Sequence, residues 1–131
     1  MWLGALAASS ALVACSGGGT SKAKPGPFAT RADQVVADLS SGNYQAVAAS
    51  FDPTMRAQLP VAVLQNDWVS YEQLLGALQS HGEPSSIMKG QLDVERVPVT
   101  MANAKGEVRI TFHPDGSIAG LFFLKAGAPA P

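Results

Sequence analysis

One cysteine, Cys15, is all the thiol this 131-residue chain carries, so an internal disulfide is excluded and any folded unit stands on core packing. Charge is scarce as well, at 15% of residues, and none precedes Lys22. A net charge of −1 and a pI near 6.0 leave nucleic acid no clustered positive surface to bind. No run of like charge exceeds two residues, which excludes a polybasic membrane arm. The two histidines, His81 and His113, stand far apart without a second soft ligand, so neither a metal site nor a cofactor is expected. A phosphate-cradling glycine loop on a strand-to-helix turn is missing, as is a serine nucleophile elbow. The length allows one domain, and 47% apolar residues are ample for its core.

What is present begins with Trp2 to Val13, an apolar stretch of about 12 residues, too short for the ~20 that span a bilayer core. It reads as a secretory signal, Met1 to Ala14, that ends in Leu12-Val13-Ala14-Cys15. This ending resembles the bacterial lipobox, in which the thiol is alkylated by a diacylglyceryl group and the chain is cut just before it. The usual basic residue ahead of the apolar run is missing, which places the expected natural start slightly upstream. Cys15 is therefore the expected lipidation site, and two or more acyl chains would hold the protein on a membrane where one would not. Ser16 to Pro27 is rich in Gly, Ser, Lys and Pro, a composition with a reach on the order of 20 Å. The expected organisation is signal 1–14, lipidated tether 15–29, one domain 30–125 and a disordered tail 126–131. The expected location is the cell envelope, on the outer membrane or the extracytoplasmic face of the plasma membrane.

Helical spacing fills the first half of the domain. Thr30-Arg31-Ala32-Asp33 has the form of a capping box, followed by Ala32, Val35, Val36 and Leu39 on one face and a stop at Ser41-Gly42. Asn43 can cap a second helix carrying Tyr44, Val47, Ala48 and Phe51, and Asp52-Pro53 opens a third through Leu59. From Pro60, the apolar residues Val61, Leu64, Trp68, Tyr71, Leu75 and Leu78 recur in steps of three and four. That stripe predicts one long helix with His81 in its last turn and Gly82 after it. Beyond Ser86 the period becomes two, with Val97, Val99 and Met101, then Val108, Ile110 and Phe112, each on one face. Pro98 predicts an edge strand or a bulge. Pro114-Asp115-Gly116 predicts a tight hairpin, and Ile118 to Leu124, apolar on both faces, a strand that is central in the sheet or covered on both sides. Helices first and an antiparallel sheet after them give an α+β fold.

The run from about Ala32 to Lys125 resembles a bacterial domain-of-unknown-function family. The resemblance is carried by Leu39-Ser40-Ser41-Gly42-Asn43-Tyr44, Phe51-Asp52, Met55-Arg56-Ala57-Gln58-Leu59-Pro60, and above all the block from Phe112 to Phe123. It implies N-terminal helices packed on a curved antiparallel sheet, a cone-shaped, nuclear-transport-factor-two-like fold that encloses a pocket. Members also occur fused ahead of α/β-hydrolase domains, whose chemistry this chain lacks.

Asp52, Asp67, Asp93, His81 and His113 are the candidates for acid–base work, and each has a plainer role. Asp52 is explained by capping, Asp67 by solvation off the stripe, Asp93 by alternating polar positions near a strand start, and His81 by the helix end. Only His113 shares a sheet face that can look into a cavity. The expected pocket lining is Trp68, Tyr71, Phe112 and His113, around a small apolar ligand. Leu121 and Phe123 are the expected surface for an envelope protein or a homodimer. The leading expectation is a non-catalytic binding module on a lipid tether. Its alternatives are a small isomerase or hydrolase using a pocket His or Asp, and an accessory factor for a separate α/β-hydrolase.

Overall fold

Four helices precede five strands in the computed structural model, which describes residues 26–129. They are α1 Ala29–Ser41, α2 Tyr44–Ala49, α3 Pro53–Gln58, α4 Val61–Leu75, β1 Leu78–His81, β2 Ser85–Lys89, β3 Leu92–Met101, β4 Lys105–Phe112 and β5 Ile118–Lys125. The expected signal segment, Cys15 and most of the expected tether lie outside the described residues.

The helices form where apolar spacing and turn chemistry agree. Helix α1 buries Ala32, Val35, Val36 and Leu39 and ends at Gly42, whose φ of 82° is the left-handed conformation glycine adopts without strain. The capping box is not made: Thr30 falls inside the helix, and Phe28 occupies the cap position without a side-chain bond. Asp52 does cap α3, its Oδ1 accepting from the Met55 N–H at 2.6 Å with Pro53 in the first turn.

Helix α4 is shorter than its stripe suggests. It buries Leu64, Trp68, Tyr71 and Leu75 and stops at Gly76, with φ 91°. A Cβ there would lie 2.7 Å from that of Ala102 and 2.8 Å from Asn103 N, so only glycine fits. Leu78 to His81 is therefore strand β1 and not a last helical turn. His81, expected at a helix end, stands with Nδ1 3.5 Å from Asp33 Oδ1.

The sheet is antiparallel throughout, in the order β1-β3-β4-β5, with β2 also paired to β3. Strand β3 pairs with β2 over Leu92 to Arg96 and with β1 over Val99 to Met101. Pro98 thus lies in an interior strand and not at an edge, where the partner changes from β2 to β1. Its carbonyl accepts from Gly82 N at 2.8 Å, and its missing N–H costs nothing at that break. Strand β5, expected at the centre or covered on both sides, is the sheet's outer strand, with Phe122 exposed on the face turned from the helices. Its free edge is closed at one end, where Ile118 exchanges bonds with the Ser50 carbonyl at 2.7 Å and the Asp52 N–H at 2.9 Å. At the other end Tyr71 Oη donates at 2.6 Å to the Leu124 carbonyl, which faces β4 beside Gly106.

The helices cover one face of this sheet. Val97, Val99, Met101, Val108, Ile110, Phe112, Ile118 and Leu121 meet α1, α2 and α4 there in one core. Each fully buried side chain of this kind contributes ~1.5–3 kcal/mol. The α+β arrangement expected from the sequence is the one observed, with four helices packed on an open five-stranded antiparallel sheet.

Both ends of the described chain pack against this unit. Phe28 stacks on Phe112 at 4.8 Å between centroids, so the expected tether gives way to packed chain by Gly26 and to helix at Ala29. At the other end Arg109 holds the carbonyls of Ala128 and Pro129, so the expected disordered tail is bound along residues 126–129.

Candidate functional site

Strand alternation sends Leu92, Val94 and Arg96 of β3 away from the helices, and with them Arg109 and Thr111 of β4 and Phe122 and Leu124 of β5. The register sets Val94 beside Thr111 and Thr111 beside Gly120, a row that ends in two small residues. Larger side chains stand around that row. The result is a hollow of about 700 Å³ on the uncovered face, walled by Leu92, Val94, Phe122 and Leu124 and bordered by Lys89 and Gly90 of the β2–β3 turn.

Positive charge gathers on the same face. Glu107 lies between two arginines, accepting from Arg96 Nε and Nη2 at 3.1 Å each and from Arg109 Nε. Burial alone would raise the Glu107 carboxyl, but its bonds to Arg96 and Arg109 outweigh burial and hold it below the ordinary glutamate range. One carboxylate therefore faces two guanidiniums. Lys89, at the rim, makes no ion pair among the described residues. The hollow thus combines apolar walls with a surplus of positive charge, a surface suited to an apolar body bearing a negative group.

A second polar group sits at one end of the sheet. His113 Nε2–H donates to Asp52 Oδ2 at 2.7 Å, and Asp52 Oδ1 caps α3. The Met55 N–H first, and His113 next, hold the Asp52 carboxyl below its usual range. Pro53, Thr54, Pro114, Asp115 and Ser117 complete a shallow depression around the pair. The Ser117 hydroxyl donates to Asp115 Oδ1 at 2.7 Å, so it is already engaged with a carboxylate other than the one that orients the histidine.

The four expected pocket residues do not meet around a cavity. Trp68 and Phe112 are fully buried parts of the core. Tyr71 packs against Trp68 and Phe123 and spends its hydroxyl on the Leu124 carbonyl, while His113 belongs to the Asp52 pair. Trp68 fills the centre of the space between the long helix and the sheet, and at its margin Tyr71, Leu121 and Phe123 line a groove of about 380 Å³ with Asp67, Ser70 and Leu74 of α4. Leu121 and Phe123, expected on a partner surface, face the helices: Leu121 is buried, and Phe123 meets the edge of Trp68 at 5.2 Å. The neighbouring residues Phe122 and Leu124 are the ones on the open face, and Phe122 is 55% exposed. Asp67 is exposed on α4, as expected, whereas Asp93 is buried.

Sequence reasoning missed Glu95, which is wholly buried beside Asp93. The signal was available. The period of two that turns Val97, Val99 and Met101 inward also turns Asp93 and Glu95 inward. Among the described residues no group of three or more His, Cys, Asp or Glu side chains is placed to hold a metal ion. No described helix is long and apolar enough to cross a membrane.

Residues 32–121 match the model of a family described as "Protein of unknown function (DUF3887)". No curated protein and no solved structure matches the chain.

Proposed function

Since the chain belongs to the DUF3887 family, whose description leaves the activity open, we propose from its own geometry that it is a non-catalytic binding module, held at the envelope by lipid on Cys15. The ligand we propose is a small apolar molecule with an acidic group, seated in the hollow on the uncovered sheet face. One observation carries this reading: the core between helices and sheet is filled at its centre and leaves a groove of about 380 Å³ at the α4–β5 margin, while the opposite side keeps a larger apolar hollow of about 700 Å³ bordered by Lys89 and Arg109. The apolar walls take the body of the ligand, and the surplus positive charge takes its head. We read the architecture as nuclear-transport-factor-two-like, with the binding surface on the opposite side of the sheet from the one that fold usually hollows. The lipobox ending at Cys15 and the Gly/Ser-rich run after it support an extracytoplasmic tether.

The test uses the full chain in detergent micelles, titrated with a long-chain fatty acid and with the alcohol of equal length, and followed by native mass spectrometry. A one-to-one adduct that favours the acid, and that weakens at least tenfold in Lys89→Glu, is the expected result. An empty monomer, a bare dimer, or equal binding of acid and alcohol would overturn it. Intact-mass measurement of the natively produced protein tests the anchor separately: an unmodified Cys15 with the leading apolar segment still attached would end the envelope assignment.

A second reading, a proton-transfer enzyme, draws support from the 2.7 Å Asp52–His113 pair. An aspartate that fixes a histidine ring is half of an acid–base device. It ranks second because Ser117 is bound to Asp115 and not to the imidazole.

A further inference from the structure

Asp93 and Glu95 point to the same side of β3, toward the helices, and are 2% and 0% exposed. Asp93 Oδ1 accepts a hydrogen bond from the Ser86 hydroxyl. Asp93 Oδ2 and both Glu95 oxygens have no hydrogen-bond partner among the described residues. The strands on either side bring no charge. Strand β4 sets Phe112 opposite Asp93 and Ile110 opposite Glu95, and β2 contributes Met88 and Ser86 at the same levels. Helix α1 contributes Arg31, but its guanidinium lies over the Phe112 ring at 5.4 Å, toward Gly116. No ion pair among the described residues includes either carboxylate.

The cover over this pair is thin. It is the segment Gly26–Phe28, whose backbone passes so close that a Cβ on Gly26 would collide with Glu95 Oε2 and with Ser86. The segment is held by the Phe28–Phe112 stack and by a 3.2 Å bond from Ala29 N to the Gly26 carbonyl.

We propose that Asp93 and Glu95 form a proton-operated latch: one proton shared between them lets Gly26–Phe28 seat as a strap, and its loss lifts the strap so that water reaches both carboxylates. Two adjacent carboxylates with no paired cation among the described residues cannot both ionise in a dry site, so either one stays protonated or the site opens. The Glu95 oxygens then behave as a donor–acceptor pair with Asp93 in the closed form and as hydrated anions in the open form. Burial first, and the neighbouring Asp93 after it, pushes the Glu95 carboxyl up to about 7 against the smaller downward pull of the strap's own Phe28 and Gly26 N–H groups, which sets the switch near neutrality. If Cys15 is the anchor, as proposed above, the strap lies on the path to it, and its release adds about 10 Å of free chain between domain and membrane. The latch itself does not depend on that anchor.

Carboxyl-labelled full chain in detergent, followed by NMR between about pH 5 and pH 9, tests the latch. The Glu95 carboxyl is expected to titrate near 7 in place of 4.5, with the Phe28 and Ala29 amides moving at the same midpoint. In Glu95→Gln, which keeps a neutral donor toward Asp93, the strap amides are expected to stay in the closed position throughout. Should that variant fail to fold, Asp93→Asn serves: Glu95 then titrates lower, and the strap follows it. A Glu95 midpoint near 4.5, or strap amides that ignore it, overturns the latch. So does calcium that seats the strap at high pH, since the pair would then be a cation site and not a proton site.

Discussion

His113 Nε2 and Asp52 Oδ2 stand 2.7 Å apart across 61 positions of sequence, and that contact ties the turn before β5 to the start of α3. The same junction carries the Ser50–Ile118 and Asp52–Ile118 backbone bonds. One carboxylate thus serves two partners, the Met55 N–H on one oxygen and the imidazole on the other. Asp52→Ala removes both at once and leaves the two backbone bonds to Ile118 in place. A Tm lower by roughly 4–8 °C at neutral pH is expected, the effect of losing one cap in a domain of this size. The Asp52 carboxyl is held below 3.8, so its contribution is present above that value and is lost as pH falls through the lower folded value. The gap between wild type and variant should therefore close in acid. A gap that persists unchanged as the pH is taken far into the acid range would assign the loss to packing.

Glu95 has the opposite sign. Its carboxyl ionises near 4.5 when unfolded and near 7 when folded, so the folded state holds the extra proton between those values. Stability contributed by the protonated form is full below 4.5 and declines as pH rises toward 7. Glu95→Gln should melt with wild type in acid and above it on the alkaline side. Urea unfolding at both ends of that range decides the matter, and equal stability at both ends would remove Glu95 from the pH response.

Much of this arrangement was legible because local chemistry and tertiary packing agree. The α1 stripe, the Asp52-Pro53 cap, the Pro114-Asp115-Gly116 turn and the inward row Val108, Ile110 and Phe112 all stand where their spacing puts them. The end of α4 was not legible from periodicity. Leu75 and Leu78 continue one apolar rhythm on two different elements, and the break between them is Gly76, forced by the close approach of Ala102 and Asn103. Strand β5 misled for a related reason. An apolar outer face reads as a buried one, yet Phe122 and Leu124 border a hollow; the free edge is covered at Ile118 by Ser50 and Asp52, and Tyr71 reaches the Leu124 carbonyl beside β4, contacts made from far away in sequence. The hollow itself depends on cross-strand register, which pairs Thr111 with Gly120, and no single segment encodes that pairing.

Tyr71→Phe isolates one of those distant contacts. The hydroxyl donates 2.6 Å to the Leu124 carbonyl from a ring that is otherwise core. Its removal deletes one hydrogen bond and leaves the aromatic packing on Trp68 and Phe123 intact. A loss of about 1 kcal/mol in urea unfolding is expected, with faster amide exchange confined to the last residues of β5. Uniformly faster exchange over the whole sheet would show that the ring, and not the hydroxyl, had been disturbed.

Two aromatic side chains on opposite sides of the sheet separate the binding reading from the core. Trp68 is 1% exposed and fills the space between helix and sheet, whereas Phe122 is 55% exposed and walls the hollow. Trp68→Ala opens a large void, and a cost of about 3–5 kcal/mol is expected, enough to unfold much of a small domain. Phe122→Ser removes an exposed ring, so its stability should stay within about 0.5 kcal/mol of wild type. Its fatty-acid affinity should nevertheless fall at least tenfold, because the ring supplies one apolar wall. Native mass spectrometry and urea unfolding on the same samples give both quantities. If Phe122→Ser binds the acid as well as wild type does, the ligand occupies some other surface. If it loses stability as Trp68→Ala does, the open face is structural, and the hollow is a consequence of packing with no role in binding.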